Sequence, residues 1–271
     1  AFYAHHTFGE QVISYLPPSF QEKFLSKPDC YVLGFQGPDI LFYHKPFSSN
    51  EIKTKGMDLH LTSAKNFFID CAKKIFAASG ETQRALASYV AGFICHFSLD
   101  NACHGYIYKL EDTGVSHGRI ESEFDKFLLK KDGKPIRGYN TSTPIKDENG
   151  TREACAKALK LPQENIALSI KTIRKINGWF SKKCETFHFF MHLLLKLVGM
   201  ERKFGDMFIH KKDDPLCKEI NEELFGKFEA AIPMGASLIE EYFSSLPVLL
   251  KKRKMNDIFR YNYSGIKITE E

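Results

Sequence analysis

None of the seven cysteines, at 30, 71, 95, 103, 155, 184 and 217, has a partner three residues along, so no CxxC pair occurs. That argues against a dithiol redox centre and a cysteine-rich zinc ribbon. The odd count fits a reducing, cytoplasmic setting. Cys95 and Cys103 are expected to pack rather than coordinate. Long apolar runs are missing too. The most apolar stretch, Phe187 to Met200, is broken by His188, His192 and Lys196 and is too short to span a bilayer. The opening Ala1-Phe-Tyr-Ala-His-His shows no secretory-signal pattern. Nor does charge of one sign dominate. Lys and Arg number 38 against 33 Asp and Glu, a net of +5. This is too weak alone to imply nucleic acid, though compatible with anionic substrates or membrane surfaces. No internal repeat and no sustained strand-type alternation is present, which leaves helix as the expected element.

What the chain does have is core-forming material: 43% hydrophobic residues and 24 Phe in 271 positions. A short helix is expected from Phe8 to Leu16, stopped by Pro17-Pro18. Residues 28–57 read as loop, punctuated by Gly34, Gly37, Pro38, Pro46 and Gly56. Thr62 to Ala78 reads as helix. So does Thr82 to Leu99, where Leu86, Val90, Phe93, Ile94 and Phe97 make a buried stripe. Gly92, one turn before His96, would let another backbone approach. A third helix runs from His117 to Lys130 behind Ser116 as N-cap. Residues 131–151 form a polar excursion, and helical periodicity resumes over 152–176, 180–200 and 215–245. The expected fold is all-α, a single helical domain over 1–271 with additional helices in 152–250.

The densest chemistry lies in His96-Phe-Ser-Leu-Asp100-Asn-Ala-Cys-His104 and His117-Gly-Arg-Ile-Glu121. Five potential metal ligands fall within 26 residues. His96 and Asp100 are four apart, as are His117 and Glu121, so each pair projects from one helix face. Imidazole nitrogen and carboxylate oxygen are zinc ligands, and three protein ligands leave a position for water. Further candidates upstream are His5, His6, Asp39, His44 and His60, with His44 in reserve. His188 and His192 share the same spacing, but their Phe, Met and Leu neighbours mark them as core or interface residues.

The pattern His-x3-Asp-x3-His, then His-x3-Glu, with Pro38-Asp39, a separate His60 and His5 upstream, resembles the zinc-dependent phospholipase C family. That family shares its fold with the P1/S1-type single-strand nucleases. The resemblance covers roughly residues 5–125 and implies a multi-helix single domain of that type. By it, Asp39, His60, His96 and Asp100 would hold one metal, and His104, His117 and Glu121 a second. His5 and a bridging Asp100 would hold a third. Asp39 would also lie near the attacking water as candidate general base. There are two departures. Secreted members begin with a Trp that binds the third metal, whereas here Ala1 stands first and the only Trp is Trp179. His104 also follows Asp100 after three residues rather than five. The third site would then draw on His6 or another group. Glu121, where the nucleases usually place Asp, leans toward the phospholipase branch.

The expected activity is zinc-dependent phosphodiester hydrolysis with two or three ions, on a phosphoester substrate such as a phospholipid. The alternatives are a single-strand nuclease and a non-catalytic zinc-bound helical protein. Contact with a membrane surface is compatible with this reading, nucleic acid is the lesser partner, and no obligate protein partner is evident. Lys55, Lys109 and Arg119 are weaker candidates for phosphate contact. Phe42, Tyr43, Tyr106 and Tyr108 could line a pocket, and Lys251-Lys-Arg-Lys254 could touch anionic lipid.

Overall fold

The computed structural model describes residues 1–111, 114–148, 150–197, 199, 205–252 and 254–269. Its helices are α1 (Phe2–Tyr15), α2 (Pro18–Leu25), α3 (Pro28–Gly34), α4 (Glu51–Leu61), α5 (Ala64–Ala77), α6 (Gly80–Glu111) and α7 (His117–Lys131). These are followed by α8 (Thr151–Leu159), α9 (Gln163–Phe180), α10 (Glu185–Leu197), α11 (Cys217–Ser244) and α12 (Leu246–Lys252). Among the described residues three 3₁₀ helices accompany them, Gly37–Tyr43, Gly205–Met207 and Asp257–Arg260. Among the described residues the β-type contact is one isolated antiparallel bridge, Tyr261 to Lys267. The fold is all-α.

α6 is the axis. Its 32 residues make a rod about 48 Å long, and from Ala85 to Asp100 every side chain is buried. A helix apolar on all sides can only be a central one. α1, α2, α3, α5, α8 and α11 pack around it, α3 most extensively. That packing depends on two glycines facing each other. A Cβ on Gly92 would lie 2.0 Å from the Tyr31 carbonyl oxygen, and one on Gly34 would lie 2.8 Å from the Gly92 Cα. Backbone therefore rests on backbone, as the missing side chain at Gly92 suggested.

Residues 28–57 depart from the loop expectation. Pro28 and Pro38 sit in the first turn of their helices, where the missing N–H costs nothing. Gly34 and Gly56 are packing positions rather than breaks: a Gly56 Cβ would come 3.1 Å from Leu41. α6 runs on to Glu111 beyond the expected end at Leu99, since Asp100, Asn101 and His104 are polar residues within the helix, not a stop signal. α1 likewise starts earlier, at Phe2, with His5 among its buried residues. The 152–176 helix is divided. Lys160, with φ of 53°, closes α8, and Pro162 precedes α9. Ser116 caps α7 as expected, accepting the Arg119 N–H at 3.2 Å. Asn149, Val198, Met200 and Arg253, which belong to segments singled out in the sequence, lie outside the described residues.

Candidate metal centre

Four residues along a helix advance about 6 Å and turn about 40°, so His96, Asp100 and His104 form a slowly winding stripe on α6. α1 brings His5 to it. The 3₁₀ helix Gly37–Tyr43 brings Asp39, α4 brings His60 in its last turn, and α7 brings His117 as its first residue and Glu121 one turn on. All eight predicted positions meet in three adjoining groups: His5, His96 and Asp100; Asp39, His60 and His96; His104, His117 and Glu121. Within each group the potential ligand atoms lie within 4.8 Å of one another.

Asp100 is 2% exposed, and its two oxygens face different histidines. Oδ2 lies 3.0 Å from His96 Nε2 and 4.0 Å from His60 Nε2. Oδ1 lies 3.2 Å from His5 Nε2 and 3.3 Å from His104 Nε2. Glu121 Oε1 lies 3.3 Å from His117 Nε2 and 3.6 Å from His104 Nε2. Asp39 Oδ1 is 3.1 Å from His60 Nε2, with its carboxylate 34% exposed at the outer edge.

The rings are aimed from behind. His96 Nδ1 is 2.9 Å from the Phe35 carbonyl, His60 Nδ1 2.7 Å from the Gly56 carbonyl, and His117 Nδ1 2.9 Å from Glu111 Oε1. With Nδ1–H donating outward, each Nε2 presents its lone pair inward, the arrangement metal-binding imidazoles use. Gly37, at φ of 48°, makes room, because a Cβ there would meet His96 Cδ2 at 2.2 Å. His96 Nε2 and Asp100 Oδ2 are buried without a hydrogen-bond partner. Buried polar atoms are ordinarily bonded. Orphaned nitrogen and oxygen atoms converging on shared points are the donor set zinc takes, so these residues fit zinc.

Charge supports the same conclusion. Burial works to raise the Asp100 pKa, yet His104, His96 and His5 hold it well below the carboxylate range. Glu121 is also held low against burial, by the Ala1 amino group 2.9 Å from Oε2 and then by His117. The carboxylates therefore demand positive charge. Burial opposes protonation of His60, but the bond and charge of Asp39, with Asp100 behind, lift it to about 9. His117 rises to about 9 against burial through Glu121 and Glu111. His5 falls to about 4 through burial and the charge of His96, the ring it stacks on at 4.2 Å. A cavity of ≈ 20 Å³ opens beside His5, Asp100, His104 and Glu121, which is room for an ion or a water molecule.

Several weaker candidates turn elsewhere. His44 is buried with Nδ1 3.4 Å from the Asn165 carbonyl, and His6 pairs with Glu10 at 3.3 Å. Arg119 is engaged by Glu123 and Asp214 at 3.1 and 3.2 Å. The charges acting on Lys55 are Lys160, Lys74 and Asp70. Tyr43 is buried and Tyr106 lies under Lys227, 5.5 Å from ring centre to nitrogen. Phe42 stacks on His60 at 5.4 Å, and Tyr108, 45% exposed, lies 5.2 Å from His117. His188 and His192 pack on Phe208 at 5.1 and 4.8 Å, as their surroundings suggested. Two neighbours carried no sequence signal. Glu111 holds His117, and Tyr263, from the C-terminal segment, places its ring 5.1 Å from His60 and 5.9 Å from His96.

Comparison with curated proteins and with solved structures finds no significant match. The family model for zinc-dependent phospholipase C matches residues 4–170, more than half of the chain and inclusive of all eight positions. The chain belongs to the zinc-dependent phospholipase C family.

Proposed function

We propose that this member of the family hydrolyses a phospholipid phosphodiester, releasing a phosphorylated headgroup and a diacylglycerol-type alcohol, with two or three zinc ions in the three groups. The observation that carries the reading is Asp100. A carboxylate with histidines on both oxygens is suited to bridging two cations. Bound zinc lowers the pKa of a coordinated water toward neutrality and neutralises charge on the phosphate in the transition state. His60, His96 and His117 present Nε2 inward because their Nδ1 atoms are anchored. Asp39 is the carboxylate nearest solvent, 34% exposed against 3% for Asp100. It is the group to orient the attacking water and take its proton, while Asp100 and Glu121 stay ionised and hold the metal. The phosphorus would gain the water oxygen, its bond to the glycerol oxygen would break, and that oxygen would leave as the alcohol with a proton equivalent to the one Asp39 took.

Metal removal tests this. Phosphocholine release from phosphatidylcholine should fall at least about 100-fold after chelation and return with zinc. Activity that survives complete chelation would overturn the metal mechanism. Zinc-restored cleavage of single-stranded DNA, with phosphatidylcholine untouched, would overturn the lipid assignment alone.

A further inference from the structure

α10 is built with its apolar residues on both sides. The inward stripe of His188, Met191, His192 and Leu195 packs on Phe208 and Phe180. The outward stripe is Phe189, Phe190, Leu193, Leu194 and Leu197, which are 65, 61, 44, 52 and 76% exposed. A surface helix of a soluble domain ordinarily turns its polar side outward, and single exposed apolar residues are normal where a contiguous set is not. The helix lies outside residues 4–170, the part of the chain the family model matches.

The rim says what the face meets. Lys182 and Lys183 lead into α10, Lys196 lies in its last turn, and Lys211 pairs with Glu185 in its first, all four exposed. The single acid on the helix, Glu185, is already paired with Arg137 and Lys211. An apolar stripe with lysines around it complements a surface that is apolar beneath and negative above. Among the described residues no helix is long and apolar enough to cross a membrane, so α10 would lie in the interface rather than span it. The segment under the inner side of α10 is tied to α7, which carries His117. In the 3₁₀ helix just before Phe208, Asp206 accepts a hydrogen bond from Ser116, the residue preceding His117.

We propose that the outward face of α10 docks the protein on an anionic phospholipid surface. The inference deepens the phospholipase reading and rests on it for the choice of a lipid partner. The test uses the full zinc-loaded chain in vesicle co-sedimentation, with phosphatidylcholine alone and with phosphatidylcholine mixed with phosphatidylglycerol. Wild type should partition at least about tenfold better to the mixed vesicles. The triple variant Phe189→Ser, Phe190→Ser, Leu194→Ser should lose at least about tenfold of that partitioning. Its zinc content and its hydrolysis of a monomeric short-chain phosphatidylcholine should match wild type. Failure of the wild type to bind either vesicle, or equal binding by the variant, overturns the proposal. So does a dimer in sedimentation equilibrium that the triple variant dissolves, because a second copy would then be the occupant. Binding is read without turnover. If monomeric lipid is not hydrolysed while vesicles are bound, the hydrolase reading has failed and the docking face has not.

Discussion

Asp100 is approached by four imidazoles on two sides, and throughout the centre the groups that aim the histidine rings matter as much as the rings. Glu111 is the clearest, being a carboxylate 2.9 Å behind His117 Nδ1. Glu111→Gln should keep the fold and weaken zinc binding at the His104–His117–Glu121 group by about 10–100-fold, read by competition with a chromophoric chelator. The protons give a second prediction. In the metal-free chain His60 and His117 titrate at about 9, raised from an ordinary 6.5. Their contribution to stability is fully present below pH 6.5 and is lost as pH rises through 9. Zinc needs the neutral rings, so binding at pH 7.5 should expel about two protons per chain from this pair, fading to none well above pH 9. Calorimetry in buffers of different ionisation enthalpy measures that number, and release of no protons at pH 7.5 would contradict the charge balance described. His5, already neutral with its pKa near 4, should add nothing.

At the scale of elements, the site depends on how closely α3 lies on α6, since the 3₁₀ helix carrying Asp39 follows α3 directly. Gly92→Ala should therefore destabilise the protein by about 1–3 kcal/mol in denaturant unfolding, although alanine is the better helix former by about 1 kcal/mol. A stabilised variant would mean that the contact with Tyr31 is not close. The α6 and α7 ligands were legible in the sequence because helical spacing alone puts His96 with Asp100 and His117 with Glu121. The α3–α4 region was not. Its glycines and prolines have the composition of a loop, and only the partner helix reveals that Gly34 serves contact and Pro28 and Pro38 open turns. The end of α6 was hidden for a related reason: the metal centre needs polar side chains where the apolar stripe would otherwise continue.

Across the whole molecule the chain closes on itself. Asp257–Arg260 packs Phe259 against Phe68 and Phe97 at 4.8 and 5.6 Å, and the next residues bring Tyr263 over His60 and His96. The Tyr263 N–H donates to the His60 carbonyl at 3.3 Å. Nothing local in the C-terminal segment signals a contact across some two hundred residues, so this side of the site was invisible in the sequence. His5, Asp39 and His60 stood among the ligand types upstream, but only the family pattern grouped them with α6, for the same reason of distance along the chain. If these scattered residues share metal ions across Asp100, anomalous diffraction at the zinc edge from crystals grown with zinc will show it. At least two peaks should flank Asp100, one toward His60 and His96 and one toward His104, His117 and Glu121. A lone zinc away from Asp100, or none at all, would contradict it.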